Sequence, residues 1–283
     1  MNSSIQYTFD SITKKTIVSL STILVVFFLI GCSHNKELVR NHHQEKLPDK
    51  YSTEAHHKEE ALYTLPGLKH GLLQSPVNIL SEHSEEGEHN VTFNFKDQIN
   101  KVQNLGHTVQ LEFEPGSTVH VDDKIFDFKQ IHFHTPAEHL IDGITYPMEM
   151  HVVNTLAGQA EEDTTEYLVF SFLFKMGKEN EFIKEFIGLI PGDKNESEDI
   201  STGTVNLRNL ITYNPAYNPK EVLKSYFFYK GSLTTPPYTE SVNWYVMKTI
   251  IDASPMQIQQ INKIQGDNAR RIQALYGRPV SDK

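Results

Sequence analysis

The stretch Gln130–Asn154, QIHFHTPAEHLIDGITYPMEMHVVN, holds four histidines and two glutamates in 25 residues. Residues two apart in a strand share a face, so Gln130, His132 and His134 point one way and Ile131 and Phe133 the other. YPMEMHVVN reads as a second strand, with Glu149, His151 and Val153 on one face and Met148, Met150 and Val152 opposite. Asp142-Gly143 marks a turn between the two. If the strands pair, His132, His134 and His151 converge on one point. Three imidazoles with a fourth position open is the donor set of a catalytic zinc site. Gln130 can accept from the ring of one ligand, and Glu149 sits beside His151; such partners fix the tautomer of a metal-bound imidazole. His139 lies in the loop and off the His132 face, so we expect it buried and hydrogen-bonded, not a ligand.

The elements that must carry these residues are mostly strands. From Val91 to Val153 apolar and polar residues alternate in short runs: VTFNF, TVQLEF, STVHV, KIFDF, QIHFH and EMHVV. Turn residues such as Pro115-Gly116 separate them, which is strand patterning repeated. EYLVFSFLFKM, residues 166–176, is more continuously apolar and reads as a central strand. Helices are fewer. KENEFIKEFIGLI sets Phe182 and Phe186 one turn apart. SPMQIQQINKIQG has Ser254 as N-cap, Pro255 in the first turn and Ile258, Ile261 and Ile264 at helical spacing. The expected fold is mainly β (α+β), a large, mostly antiparallel central sheet with peripheral helices.

Among 283 residues the net charge is −10, which argues against a nucleic-acid surface. The single cysteine, Cys32, excludes an intrachain disulfide and a cysteine-rich zinc module. It follows Lys14 and Lys15, the 14-residue apolar run Ile17–Ile30, and Gly31. That run is short against the ~20 residues of a membrane-spanning helix and reads as an export signal. LIGC resembles a bacterial lipobox, so we expect a signal peptide over 1–31 and a lipid anchor at Cys32. Residues 32–63 carry His34, His42, His43, His56 and His57 among many charges, with no apolar period, and read as a flexible tether. The catalytic domain is expected over 64–283.

The long motifs resemble those of the α-class carbonic anhydrases. Gln130–Asn154 resembles that family's zinc segment, and GSLTTPPYTESVNW, residues 231–244, its second signature. QSPVNI (74–79), LGHTVQLEF (105–113), Asn268-Ala269-Arg270 and Gly277-Arg278 match in the family's order, so the likeness runs from about Gln74 to Val280. It implies the α-carbonic anhydrase fold, a Zn²⁺ cofactor at His132, His134 and His151, and reversible hydration of carbon dioxide to bicarbonate. It further implies that Thr234 accepts the hydroxide's proton and donates its own to Glu138, which as a carboxylate only accepts. Thr235 would line the same polar wall, and Val153, Val169, Leu233, Val242 and Trp244 the dry wall for carbon dioxide. His107 in a strand-borne GH would be the proton shuttle, with Gln110 facing the cavity near it, and Asn268 would support the ligands alongside Gln130 and Glu149. Sulfonamides and anions are the implied inhibitors, and a homodimer is left open.

The departures are local. Tyr238 and Leu68 stand near positions where many secreted relatives carry a disulfide. Leu105 replaces a polar residue on the proton path. Trp244 is the only tryptophan. Two rival readings keep the fold but change the function. One is a catalytically silent relative, which would ordinarily lack a zinc histidine. The other is an envelope zinc buffer built on the tether, which leaves GSLTTPP and Glu138 without a role. The leader places the chain on the periplasmic side, and Ser33 after the cysteine leans toward the outer membrane.

Overall fold

The structure, a computed structural model, describes residues 71–159, 165–212 and 222–283. The leader, Cys32, the tether and Leu68 lie outside the described residues.

KIFDF and QIHFH, separate runs in the sequence, form one strand of 11 residues, Lys124–His134. It pairs antiparallel with Val109–Phe113 on one side and Met148–Leu156 on the other. Met148–Leu156 pairs antiparallel in turn with Tyr167–Met176. These four strands are the middle of a sheet that holds 13 strands among the described residues. The fold is mainly β and mostly antiparallel, as expected, although parallel pairs occur, among them the short pair of Ser281–Asp282 with Glu85–Glu86. Tyr167–Met176 pairs parallel with both Val242–Met247 and Ile251–Ala253. A parallel pair needs a long crossover, and the chain from 177 to 241 supplies it. The edge strand Glu196–Asp199 is fully exposed and acidic, which discourages another chain from pairing with it.

Side-chain alternation splits the core between the two faces of the sheet. Ile131, Phe133, Met148, Met150, Val152, Phe170 and Phe172 enter one buried cluster. Val153, Val169, Leu173, Trp244 and Val246 enter another. Each large apolar side chain fully buried stabilises the fold by roughly 1.5–3 kcal/mol. A one-residue slip would turn the first set away from its cluster, so their burial fixes the register. That register presents His132, His134, Glu149 and His151 on the face opposite the first cluster.

The helix Pro255–Gln265 anchors the end of the histidine strand. Ser254 Oγ accepts from the Gln257 amide at 3.2 Å and Gln257 Oε1 accepts from the Ser254 amide at 3.0 Å. This reciprocal cap starts the helix with Pro255 in its first turn. At the far end Gln265 Oε1 accepts from Val109 N at 3.0 Å while its Nε2 donates to Thr135 Oγ1 at 3.0 Å. Thr135 directly follows His134, so one side chain ties the helix to both strands beneath the histidines.

Candidate metal centre

His132 pairs across the sheet with His151, and His134 with Glu149. His151 in turn lies opposite Ser171. One ring nitrogen from each of His132, His134 and His151 falls in a group whose members lie within 4.8 Å of one another.

Hydrogen bonds decide which nitrogens. His132 Nδ1 is 2.9 Å from Gln130 Oε1, an amide oxygen that can only accept, so Nδ1 carries the proton and Nε2 is bare. His151 Nε2 is 2.7 Å from Glu149 Oε1, so His151 Nδ1 is bare. The two bare atoms face each other at 3.2 Å. Two lone pairs at that distance repel unless a cation lies between them. Nitrogens about 2.0–2.1 Å from a tetrahedral zinc stand about 3.3–3.4 Å apart. His134, 3% exposed, has a buried Nε2 without a hydrogen-bond partner, while its Nδ1 lies 3.4 Å from Glu138 Oε1. Burial lowers all three rings, His134 to about 4, His132 well below its ordinary value and His151 below it. Neutral imidazoles with orphaned lone pairs are metal donors, so the residues present fit a zinc ion.

Glu149 is the hub behind the rings. Its Oε2 accepts from the amides of Glu138 at 2.7 Å and His139 at 2.8 Å. Its Oε1 lies 2.6 Å from His139 Nδ1, 2.7 Å from His151 Nε2 and 2.6 Å from Ser171 Oγ. Burial pushes this carboxyl up, but His139, His151 and their hydrogen bonds outweigh it and hold the group well below its ordinary value. His139 is fully buried, and its Nε2 meets Tyr229 Oη at 2.6 Å. It is thus hydrogen-bonded at both nitrogens.

Glu138 and Thr234 approach the same place from different loops. Glu138 Oε1 accepts from the Arg270 amide at 2.8 Å, and its Oε2 is buried with no donor other than the Thr234 hydroxyl. Burial pushes the Glu138 carboxyl up to about 7, against the pull of His151, the Arg270 amide and the Thr234 hydroxyl. Thr234 is buried, whereas Thr235 beside it is exposed. Val153, Val169, Val242 and Trp244 share one buried cluster, with Leu233 packed on it. The Trp244 ring lies 4.8 Å from the His151 ring.

One expected position differs in detail. His107 is not in a strand; it sits in the bend between Ile99–Asn104 and Val109–Phe113. The cause is Gly106, whose φ of 75° suits glycine and breaks the strand. Asn268 supports His134 from its backbone, which pulls the ring's pKa up against the effect of burial, and from its side chain. It holds the backbone on both sides of His134, accepting from Thr135 N at 2.9 Å and donating to Phe133 O at 2.9 Å. Gln110 lies opposite His132 but donates to Gln103 at 3.3 Å. Ser171, Tyr229 and the side chain of Arg270 were not singled out from the sequence. No local pattern marks them, because their hydrogen-bond partners are 22 to 196 residues away.

The family model for eukaryotic-type carbonic anhydrase matches residues 62–283. A carbonic anhydrase of Neisseria gonorrhoeae is 33% identical over 212 residues, covering 74% of this chain and 77% of the relative. The solved α-carbonic anhydrase of Thermovibrio ammonificans, in complex with the inhibitor sulfanilamide, superposes with a TM-score of 0.66 at 31% identity. It covers 75% of this chain and 87% of that one. A carbonic anhydrase of Chlamydomonas reinhardtii in complex with acetazolamide gives a TM-score of 0.64 at 27% identity, covering 75% and 91%.

Proposed function

The chain belongs to the eukaryotic-type carbonic anhydrase family, and from that premise we propose that it catalyses the reversible hydration of carbon dioxide with zinc held by His132, His134 and His151. The observation that carries this reading is the pair of bare nitrogens, His151 Nδ1 and His132 Nε2, facing at 3.2 Å beside the buried, unpartnered Nε2 of His134. When bound, the ion contributes Lewis acidity that lowers the pKa of water to about 7, a magnitude established for carbonic anhydrases as a class. The remaining work falls to side chains. Glu138 accepts a hydrogen bond from the Thr234 hydroxyl, which leaves the Thr234 oxygen free to accept one from the nucleophile and so to aim its lone pair. Val153, Val169, Leu233, Val242 and Trp244 offer carbon dioxide an apolar wall and exclude water from it. Stopped-flow carbon dioxide hydration, with and without a sulfonamide, tests the reading. Inhibitable hydration by the zinc-loaded protein is the expected result, and zinc-loaded protein with no hydratase activity would overturn it.

His107 is the candidate that carries the product proton away. Its ring is exposed, and its Nδ1 lies 3.1 Å from Leu105 O, which leaves Nε2 free to exchange with solvent. Its carbonyl is pinned by Asn268 Nδ2 at 2.8 Å. His107→Ala should lower maximal turnover in weak buffer, and added imidazole should restore it. Turnover across a buffer series is the measurement. Identical curves for variant and parent would remove the shuttle role.

The lipid anchor at Cys32 and the periplasmic placement on the outer membrane belong to the same proposal and rest on the LIGC motif and on Ser33 after it. Intact mass of the mature protein should show a diacylglyceryl cysteine as residue one. A mature protein that retains residues 1–31 would refute the anchor.

A further inference from the structure

Thr234 and Glu138 act together in the proposed mechanism, yet they belong to different loops and no secondary structure joins them. Thr234 precedes a tight turn closed by the Tyr238 amide donating to Thr235 O at 2.9 Å, inside a bracket closed by Leu233 N to Thr239 O at 3.0 Å. Tyr238 adopts φ 63°, a left-handed backbone that tyrosine rarely takes, so its surroundings must hold it there. The Arg270 guanidinium packs on its ring, with its central carbon 3.8 Å from the ring centre.

Arg270 is held in turn. Its Nη1 donates to Ser75 O at 2.6 Å and its Nη2 to Gln74 Oε1 at 2.8 Å. Gln74 Nε2 donates to Tyr238 O at 3.2 Å and to Glu240 Oε1 at 2.8 Å. Ser75 and Ser232 exchange amide-to-hydroxyl hydrogen bonds at 2.9 and 3.1 Å. The residues on both sides of Thr234 are therefore clasped to 74–75, and Arg270 closes the clasp. The main-chain amide of this same residue donates to Glu138 Oε1.

We propose that Arg270 is a positioning residue: its amide holds Glu138, its guanidinium on Tyr238 holds the turn that carries Thr234, and together they set the spacing of that pair. The proposal rests on the reading that Thr234 and Glu138 orient the nucleophile. A misplacement of about 1 Å at a reacting centre can cost on the order of 10²-fold, so a loosened turn should be visible in the rate.

The test is Tyr238→Ala, Tyr238→Phe and Arg270→Met, each made alone and in a Thr234→Ala background, with zinc content and carbon dioxide hydration measured throughout. Tyr238→Ala and Arg270→Met should keep full zinc and lose about 10-fold in kcat/KM, while Tyr238→Phe, which retains the ring face, should stay within about 2-fold of the parent. In the Thr234→Ala background the same changes should cost less than about 2-fold, because groups that act as one unit are not additive. An equal loss in both backgrounds would mean that the clasp acts elsewhere, and an unchanged rate for Tyr238→Ala at full zinc would mean that it positions nothing. Should Arg270→Met not fold, the two Tyr238 variants decide the matter. A Thr234→Ala protein with full activity would defeat the Thr234 reading itself, a result distinct from either failure of the clasp.

Discussion

Alanine in place of His134 will leave the purified protein with almost no zinc and no measurable hydratase activity, and His132→Ala and His151→Ala will do the same. A catalytic zinc site needs three protein ligands plus an open position, and two imidazoles do not hold the ion against exchange. Losing even an outer partner of a ligand commonly costs 10- to 100-fold in affinity, so losing a ligand should cost more than about 10²-fold. His134 gives the cleanest reading of the three. Its Nε2 has no hydrogen-bond partner and its Nδ1 is a long 3.4 Å from Glu138 Oε1, so alanine there disturbs little besides the metal. At His151 the change also strips one donor from Glu149, although the amides of Glu138 and His139, the His139 ring and Ser171 remain on that carboxylate. Metal analysis of each variant beside its hydration rate is the measurement. A variant with one zinc per chain and the parental rate would take that histidine out of the ligand set.

The ligand trio was legible because it depends on a short-range rule. Alternation put His132 and His134 on one face of their strand and Glu149 and His151 on one face of theirs. The only long-range step was that the two strands pair, and their register is set by the apolar residues on the reverse side. The support behind the trio was partly legible for the same reason: Gln130 is two residues from His132, and Glu149 two from His151. His139 could be set aside because the loop takes it off the strand face. What escaped depends on contacts between distant segments. Ser171 reads as a small residue in an apolar strand until pairing sets it opposite His151. Arg270 belongs to a matched motif, but nothing local says that its side chain reaches Tyr238 and Gln74 while its amide reaches Glu138. The parallel pairing of Tyr167–Met176 with Val242–Met247 was hidden likewise, since apolar periodicity carries no strand direction. His107 was misplaced by a few residues because the alternation of LGHTVQLEF runs straight through Gly106, where the backbone turns.

Thr234→Ala should keep its zinc and lose about 10²-fold in hydration rate, the usual cost of removing one aligned polar group at a reacting centre. Glu138 creates the need for the hydroxyl. Its Oε1 is engaged by the Arg270 amide, and its Oε2 is buried with no donor other than the Thr234 hydroxyl to serve it. The Thr234 hydroxyl is among the groups that favour the charged form of this carboxyl. A hydroxyl has one proton to give. Given to Glu138, it obliges the Thr234 oxygen to act as an acceptor towards the nucleophile, which fixes the nucleophile's proton and leaves a lone pair for carbon dioxide. Alanine removes this directional constraint without touching His132, His134 or His151. Zinc content should therefore stay at one per chain while the rate falls, and Thr234→Ser, which keeps the hydroxyl, should recover most of the loss. The pattern separates orientation from scaffolding: loss of zinc in Thr234→Ala would make the residue structural, and a parental rate at full zinc would mean that the nucleophile needs no aiming from this side.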